Sequence, residues 1–336
     1  MNEKELQLLG LKKLIGNTPL LQIDYKYKGT PRIIYAKAEY YNLTGSIKDR
    51  IAYHIMLESY KSGTLTADMH IMEATSGNTG IAFSALGRAM GHEVTIYMPN
   101  WMSAERINIM KSFGANIRLV SKEEGGFVGS IAMTEEAKKQ NPNHIFLPRQ
   151  FDNCANSDAH FKTTGTEIVA QLQQINKIPD AFVAGVGTGG TVMGVNNYLK
   201  IINPEVKVYP LEPANSPTLS TGHKIGKHRI QGISDELIPS ILHLEDFDHI
   251  IQTDDGDSII MAQKFASRMG LGVGISSGAN FLGAVIAQNM LGDDKTVVTV
   301  FADDSKKYLS TDYCKQEPVK EDFLSSDIEL VRISAI

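Results

Sequence analysis

Residues 70–98 read as a strand (His70–Glu73), a polar turn (Ala74–Gly80), a helix to about Met90 and a second strand (Glu93–Met98). Two strands joined through a helix run parallel, and the crossover between them is right-handed. That single unit points the chain towards a layered α/β architecture. The rhythm then repeats. A helix Ser103–Phe113 stops at Gly114, and a strand Asn116–Val120, a helix Ser130–Gln140 and a strand His144–Leu147 follow. A polar stretch at Gln150–Asn156 marks a boundary between lobes. Beyond it come a long helix (about Ser157–Ile175), a strand Ala181–Gly185, a helix from Gly189 to about Ile202 and a strand Val206–Leu211. Residues 214–243, rich in Ser, Gly, His and Pro, read as loop and short helix. The alternation resumes with Ile250–Gln252, helices Asp257–Met269 and Ser276–Met290, and a strand Thr296–Phe301. The expected fold class is α/β: two doubly wound, three-layer lobes facing a cleft. A length of 336 residues also suits two lobes better than one core.

Composition removes several classes of function. Hydrophobic content of 42% and charged content of 21% are those of a soluble globular protein. The net charge is −5 with both signs interspersed, so no basic block suggests nucleic acid or an anionic membrane. No apolar stretch approaches the ~20 residues that span a bilayer. The charged start, Met1-Asn2-Glu3-Lys4-Glu5, is unlike a secretory leader. Cys154 and Cys314 make no disulfide framework and fit a reducing cytoplasm. Nine scattered histidines lack the close pairing of common metal sites, so no metal is expected.

The chemistry gathers around Thr44-Gly45-Ser46-Ile47-Lys48-Asp49-Arg50. Ile47, Ile51 and Ile55 follow at helical spacing, with Gly45-Ser46 as turn and N-cap. Lys48 falls in the first turn, where the helix dipole disfavours a cation. A lysine whose ammonium form is destabilised is a nucleophile towards carbonyls. The plain alternative, a solvated lysine paired with Asp49 or Glu58, is set aside only by what lies downstream.

Three later turns stand at strand C-ends before helices, where free N–H groups receive anions. Thr75-Ser76-Gly77-Asn78-Thr79-Gly80 combines two glycines with hydroxyls and an amide, more than a simple cap needs, and suits a carboxylate. Gly185-Val186-Gly187-Thr188-Gly189-Gly190-Thr191 fits a phosphate cup. It also fits the dinucleotide fingerprint through Gly185, Gly187 and Gly190, with Glu212 placed as a ribose-binding acid. On this turn alone the two readings stand even. In Gly274-Ile275-Ser276-Ser277-Gly278-Ala279, either serine is placed to cap the helix or to donate to a neutral ring nitrogen. A lysine amine, a phosphate cup, an amide-rich turn and a hydroxyl donor together suit pyridoxal phosphate (PLP), held as a Schiff base.

These stretches, with Ile15-Gly16-Asn17-Thr18-Pro19-Leu20 and Gln150-Phe151-Asp152-Asn153, resemble the cysteine synthase and cystathionine β-synthase family of fold-type-II PLP enzymes. The similarity covers about Leu14 to Asp312. The resemblance implies that Lys48 carries the cofactor and moves the Cα proton. It implies that Asn78 bonds the ring oxygen, that Gly187, Thr188, Gly189, Gly190 and Thr191 bind the phosphate, and that Ser276 faces the pyridine nitrogen. Thr75, Ser76, Thr79 and Gln150 would grip the carboxylate of a small amino-acid substrate, and Glu212 would be structural. It further implies an N-terminal mobile lobe (40–152), a phosphate-binding lobe (1–39 with 153–312), and a homodimer. Residues 313–336 read as a short charged extension.

The expected reaction is β-replacement or β-elimination on a serine- or cysteine-type amino acid through an α-aminoacrylate. Cysteine synthesis from O-acetylserine and sulfide is the first expectation. One departure matters. Where relatives that use O-acetylserine carry a glycine/alanine-rich run, this chain has Gly232-Ile233-Ser234-Asp235-Glu236-Leu237-Ile238-Pro239. Asp235 or Glu236 would repel an incoming anion, and Asp235 as a base would activate water. That gives the alternative of a cysteine-consuming, sulfide-releasing enzyme that forms serine. Cystathionine β-synthase-type activity, a nicotinamide (NAD) oxidoreductase and an idle amino-acid sensor are the remaining alternatives.

Overall fold

The computed structural model describes residues 3–75, 77–234 and 237–336. The first part of the chain holds α1 (Glu3–Gly10), β1 (Leu20–Tyr27), β2 (Thr30–Ala38) and α2 (Lys48–Ser62). Then follow β3 (His70–Ala74), α3 (Asn78–Ala89), β4 (Val94–Pro99), α4 (Ala104–Ser112), β5 (Asn116–Val120), α5 (Gly126–Gln140) and β6 (Ile145–Phe146). The next stretch holds α6 (Ala155–His160), α7 (Thr166–Gln173), β7 (Ala181–Gly185), α8 (Gly190–Ile202), β8 (Lys207–Pro213) and α9 (Thr218–Thr221). The chain finishes with β9 (Ile251–Thr253), α10 (Asp255–Met269), α11 (Ile275–Leu291), β10 (Val297–Phe301) and β11 (Ile328–Ala335).

Two sheets organise these elements. The smaller, in order β5-β4-β3-β6, is wholly parallel. The larger runs β11-β1-β2-β10-β7-β8-β9. It is parallel from β2 to β9, while β1 pairs antiparallel with β2 and β11. Its central strands are apolar on both faces, as a sheet covered by helices on both sides requires. Ile34, Val183, Leu211 and Val297 pack with Phe265 of α10 and Phe281 of α11. The intervening Tyr35, Phe182, Val208 and Val298 pack with Leu172 of α7 and Leu199 of α8. A third core joins α2, α3 and the smaller sheet through Ile51, Ile55, Phe83, Ile71 and Ile96.

Four features differ from the sequence reading. The long helix expected over 157–175 is α6 and α7 joined by a π-helical turn at Phe161–Gly165. There Gly165 lies flat against Tyr198, and a methyl group at Gly165 would come within 2.9 Å of it. Helix α5 begins at Gly126, not Ser130, because Gly125 and Gly126 both take positive φ and turn the chain early. Leu8 and Ile15, expected with the phosphate-binding lobe, pack in the core of the smaller sheet. Residues 328–335, expected as part of a charged extension, form β11 on the edge of the larger sheet.

The start of α2 is held by a buried ion network. Arg50 makes two hydrogen bonds to Glu39 (2.6 and 2.8 Å) and two to Glu167 (both 2.7 Å). Lys37 reaches Glu167 at 2.7 Å and the Thr18 hydroxyl at 2.8 Å. Burial acts to raise the Glu167 carboxyl, but Arg50 and then Lys37 outweigh it and hold it at about 2. The ions are paired and forked, which is what makes burial of so much charge tolerable. Arg50→Met leaves two carboxylates facing one lysine and is expected to cost about 3–5 kcal/mol in denaturant unfolding. Lys26→Met breaks the exposed 3.1 Å pair with Glu329 and is expected to cost at most about 1 kcal/mol. Equal losses for the two variants would mean the network contributes nothing special.

Candidate active site

Lys48 is the first residue of α2, half-buried, and the turn before it is stitched to the C-end of β10. Ile47 N–H donates to the Ala302 carbonyl at 2.9 Å, and the Ser46 hydroxyl accepts the Lys48 N–H at 3.2 Å. Gly45 has φ +77°, and a side chain there would meet the Asp304 carboxylate at 2.9 Å. Lys307, itself buried, donates to the Gly45 carbonyl at 2.8 Å. Asp49 accepts the N–H and the hydroxyl of Thr44 at 2.7 and 2.6 Å, and burial pushes its carboxyl up to about 6.

The glycine turn after β7 opens α8, whose first N–H groups have no partner within the helix and face outward to an anion, the Gly190 N–H making only a long 3.4 Å contact to the Thr188 hydroxyl. Gly189 takes φ +81°. A methyl group at Gly187 would collide with the Gly232 carbonyl, and one at Gly190 with the Asn156 amide. Asn156 Nδ2 donates to the Thr188 hydroxyl and to the Gln150 carbonyl, both at 2.8 Å. His160 Nε2 lies 3.2 Å from the Thr191 hydroxyl, and its Nδ1 lies 2.9 Å from that of Thr164. Burial, then the Lys48 charge, push the His160 pKa well below its ordinary value, so it is a neutral partner.

On the opposite wall, the N–H of Gly77 donates to the Thr75 hydroxyl at 3.1 Å. Thr79 donates to Gln150 Oε1 at 2.6 Å, and Gln150 Nε2 donates to the Ala74 carbonyl at 3.2 Å. Asn78 Nδ2 donates to Asp303 Oδ2 at 2.7 Å, while Asn78 Oδ1 is buried without a partner. Ser277 Oγ is taken by the Ala302 N–H at 3.1 Å, whereas Ser276 lines the cavity. That cavity is a narrow slot of about 60 Å³. It brings together Lys48, Thr75, Asn78, Thr79, Gln150 and Ser276 with the turn after β7. A roomier hollow of about 420 Å³ lies outside it and shares Gln231, Gly232 and Ile233. The converging polar groups belong to the slot, so the chemistry is placed there and the hollow is its vestibule.

Ser76, Asp235 and Glu236 lie outside the described residues. Glu212, the acid that kept a dinucleotide in play, is fully buried with its oxygens engaged. It accepts from the Leu219 N–H at 2.7 Å, from Gln252 Nε2 at 3.0 Å and from the Ser220 hydroxyl. No oxygen of it faces a ribose. Four residues of the site escaped sequence reasoning: Asn156, His160, Asp303 and Arg106. Only Asp303 carried a signal, its position just past the C-end of an apolar strand, where α/β sheets place their ligands.

The donor set fits PLP. The glycine turn, where a side chain at Gly187 or Gly190 would collide, takes a dianion, Lys48 offers an amine, and Ser276 offers a neutral hydroxyl. The sequence pattern of the family described as pyridoxal-phosphate dependent enzyme matches residues 11–303. The chain belongs to that family. This PLP-dependent enzyme is 42% identical over 299 residues to a probable cysteine synthase of Bacillus subtilis (strain 168), covering 89% of this chain and 95% of that one. A solved hydrogen sulfide-producing enzyme from Fusobacterium nucleatum is 54% identical with a TM-score of 0.95. The match covers 99% of this chain and 100% of the other. A related structure is of an aspartate-to-asparagine variant in complex with an α-aminoacrylate intermediate, with a TM-score of 0.96. A cysteine synthase from Entamoeba histolytica is 36% identical with a TM-score of 0.84, covering 94% of each chain.

Two expectations follow. Gly187→Ala drives a methyl group against Gly232 and is expected to lower cofactor retention, read from the ratio of cofactor to protein absorbance after dialysis. Full retention would place the phosphate elsewhere. The second concerns Glu73 of β3, fully buried, with Oε1 on the Ala74 N–H at 3.0 Å and Oε2 without a partner. Burial raises its carboxyl to about 8, against the pull of nearby N–H groups. Its contribution to stability is therefore complete below its unfolded value near 4.5 and is lost as pH rises towards 8. The melting temperature of the wild type should fall more steeply between pH 5 and 8 than that of Glu73→Gln. Parallel curves would exclude Glu73 as the titrating group.

Proposed function

We propose that the enzyme carries out PLP-dependent β-replacement or β-elimination on a serine- or cysteine-type amino acid. The observation that carries this reading is the convergence in one slot of Lys48, the turn after β7, Ser276 and the carboxylate-binding turn before α3. In this reading Lys48 anchors the cofactor and moves the proton at Cα. Asn78 bonds the ring oxygen, Gly187, Thr188, Gly189, Gly190 and Thr191 hold the phosphate, and Ser276 faces the ring nitrogen. When bound, PLP supplies an aldehyde for the substrate amine and a ring system that spreads the charge left at Cα. A serine hydroxyl facing the ring nitrogen leaves that nitrogen unprotonated, which favours loss of a β-substituent over a long-lived carbanion. Thr75, Ser76, Thr79 and Gln150 hold the substrate carboxylate at the N-terminus of α3, a fixed positive pole. Closing the two lobes, one built on each sheet, excludes water.

Cysteine synthesis from O-acetylserine and sulfide is the first reading, supported by relatives named cysteine synthase at 38–42% identity. A second reading is cysteine breakdown to serine and sulfide. It is favoured by one observation, the 54% identity and near-complete coverage of the hydrogen sulfide-producing enzyme. There Asp235 acts as the base for water. An Asp→Asn variant of a hydrogen sulfide-producing relative is in complex with an α-aminoacrylate intermediate, which is what loss of an aspartate acting after that intermediate would give. Two cysteines outside any disulfide fit a reducing cytoplasm, and the family resemblance favours a homodimer.

The test is steady-state assay with O-acetylserine plus sulfide and with cysteine alone. Faster cysteine formation supports synthesis, and faster sulfide and serine release supports breakdown. Lys48→Ala should abolish both. Asp235→Asn should lower serine release from cysteine by about 10²-fold or more, the ordinary worth of a positioned base. Undiminished serine release would remove Asp235 from the reaction, and turnover by Lys48→Ala would remove the whole scheme.

A further inference from the structure

Arg106, the third residue of α4, is 1% exposed and lines the same slot as Lys48. The start of α4 is docked on the segment after β10. Ser103 donates to the Lys307 carbonyl at 3.2 Å, and Glu105 accepts the Ser310 N–H at 2.7 Å. The guanidinium of Arg106 lies over the Tyr308 ring, 4.6 Å from its centre. Its Nη1 donates to the Gln231 side-chain carbonyl and to the Ser103 hydroxyl at 3.3 Å. Its Nε is buried with no partner. A methyl group at Gly77 would collide with the Arg106 side chain, so Arg106 lies directly on the N-terminus of α3.

Every acceptor that Arg106 uses among the described residues is neutral. A buried cation paired only with neutral groups is costly unless an anion joins it. The substrate carboxylate already has the N–H groups of the α3 turn with Thr79 and Gln150. The far end of Arg106 points instead to Gln231, which lines both the slot and the vestibule. A group leaving the substrate for solvent passes there.

We propose that Arg106 binds the β-substituent of the amino acid as that group becomes an anion on leaving. The bond from Cβ to sulfur or oxygen breaks with its electron pair going to the heteroatom. The Cα proton passes to the Lys48 amine, and the C–H pair becomes the Cα–Cβ double bond. Arg106 receives the hydrosulfide or carboxylate so formed, and in the reverse sense it holds an incoming anion. This rests on the reading of the slot as an amino-acid site, and its test separates the two. The holoenzyme is titrated by calorimetry with L-alanine, L-asparagine and L-aspartate, the last carrying a non-leaving β-anion. Wild type is expected to prefer aspartate to asparagine. Arg106→Gln should lower that ratio about tenfold or more, the usual worth of a charge-assisted bond, with alanine binding unchanged. Arg106→Lys should keep a ratio above that of the Gln variant; if Arg106→Gln does not fold, Arg106→Lys carries the test, with aspartate still preferred to asparagine but less than in wild type, and alanine binding unchanged. Equal weakening of all three ligands would assign Arg106 to the α-carboxylate and overturn the proposal. So would an unchanged ratio, or a Lys variant no better than Gln. If wild type binds none of the three, the amino-acid reading itself fails.

Discussion

The fork of Arg50 between Glu39 and Glu167 is the contact on which the rest of the molecule leans. Glu39 follows β2 of the larger sheet, Glu167 lies on α7, and Arg50 sits two residues after Lys48 on α2. One guanidinium therefore ties the helix that bears Lys48 to two elements of the neighbouring layer. Because a guanidinium is planar and bidentate on both sides, it fixes the direction of α2 and not merely its distance. The lysine inherits that direction.

Around this fixed point, the site is assembled from chain ends of regular elements. Lys48 is at the start of α2, Asn78 at the start of α3, Gly190 at the start of α8, and Ser276 near the start of α11. Four helix N-termini converging on one slot supply N–H donors and a positive potential without spending a charged side chain on each contact. Among the described residues, the charges Lys48, Arg106 and Asp303 then stand out against a field of neutral donors. His160 fits the same logic: kept neutral by burial and by Lys48, it orients Thr191 without adding a repulsive cation.

Much of this was legible in the amino-acid order. The βαβ rhythm announces parallel sheets because period, turn chemistry and strand length agree along the chain. The glycine turns announce their own function, since six polar or flexible residues in a row exceed what a helix cap needs. What was not legible depends on contacts made at long range. His160 and Arg106 sit in segments that read as ordinary helix and Asn156 in one that reads as a polar boundary, and only packing turns them towards the slot. Glu212 shows the converse. Its spacing from Gly185 mimics a ribose-binding acid, yet Ser220, Leu219 and Gln252 consume its oxygens. The stretch after Tyr313 hid a strand because Glu329, Arg332 and Ser334 break strict alternation along β11, whose pairing register shifts between Asp24 and Tyr25.

That edge strand has a consequence for how the molecule is made. Leu21 of β1 pairs with Ala335 of β11, a partner about 300 residues later in the chain. Lys26–Glu329 and Asp24–Arg332 then fix which residues face each other. During synthesis β1 and β2 emerge early as a hairpin open on both rims: β10 covers β2 late, and the β1 rim stays open until β11 arrives. Such a rim is a template for a neighbouring chain. The closing strand is thus as much a guard against misassembly between nascent chains as a part of the finished sheet. Its late arrival gives the fold a long-range contact of the kind that slows folding.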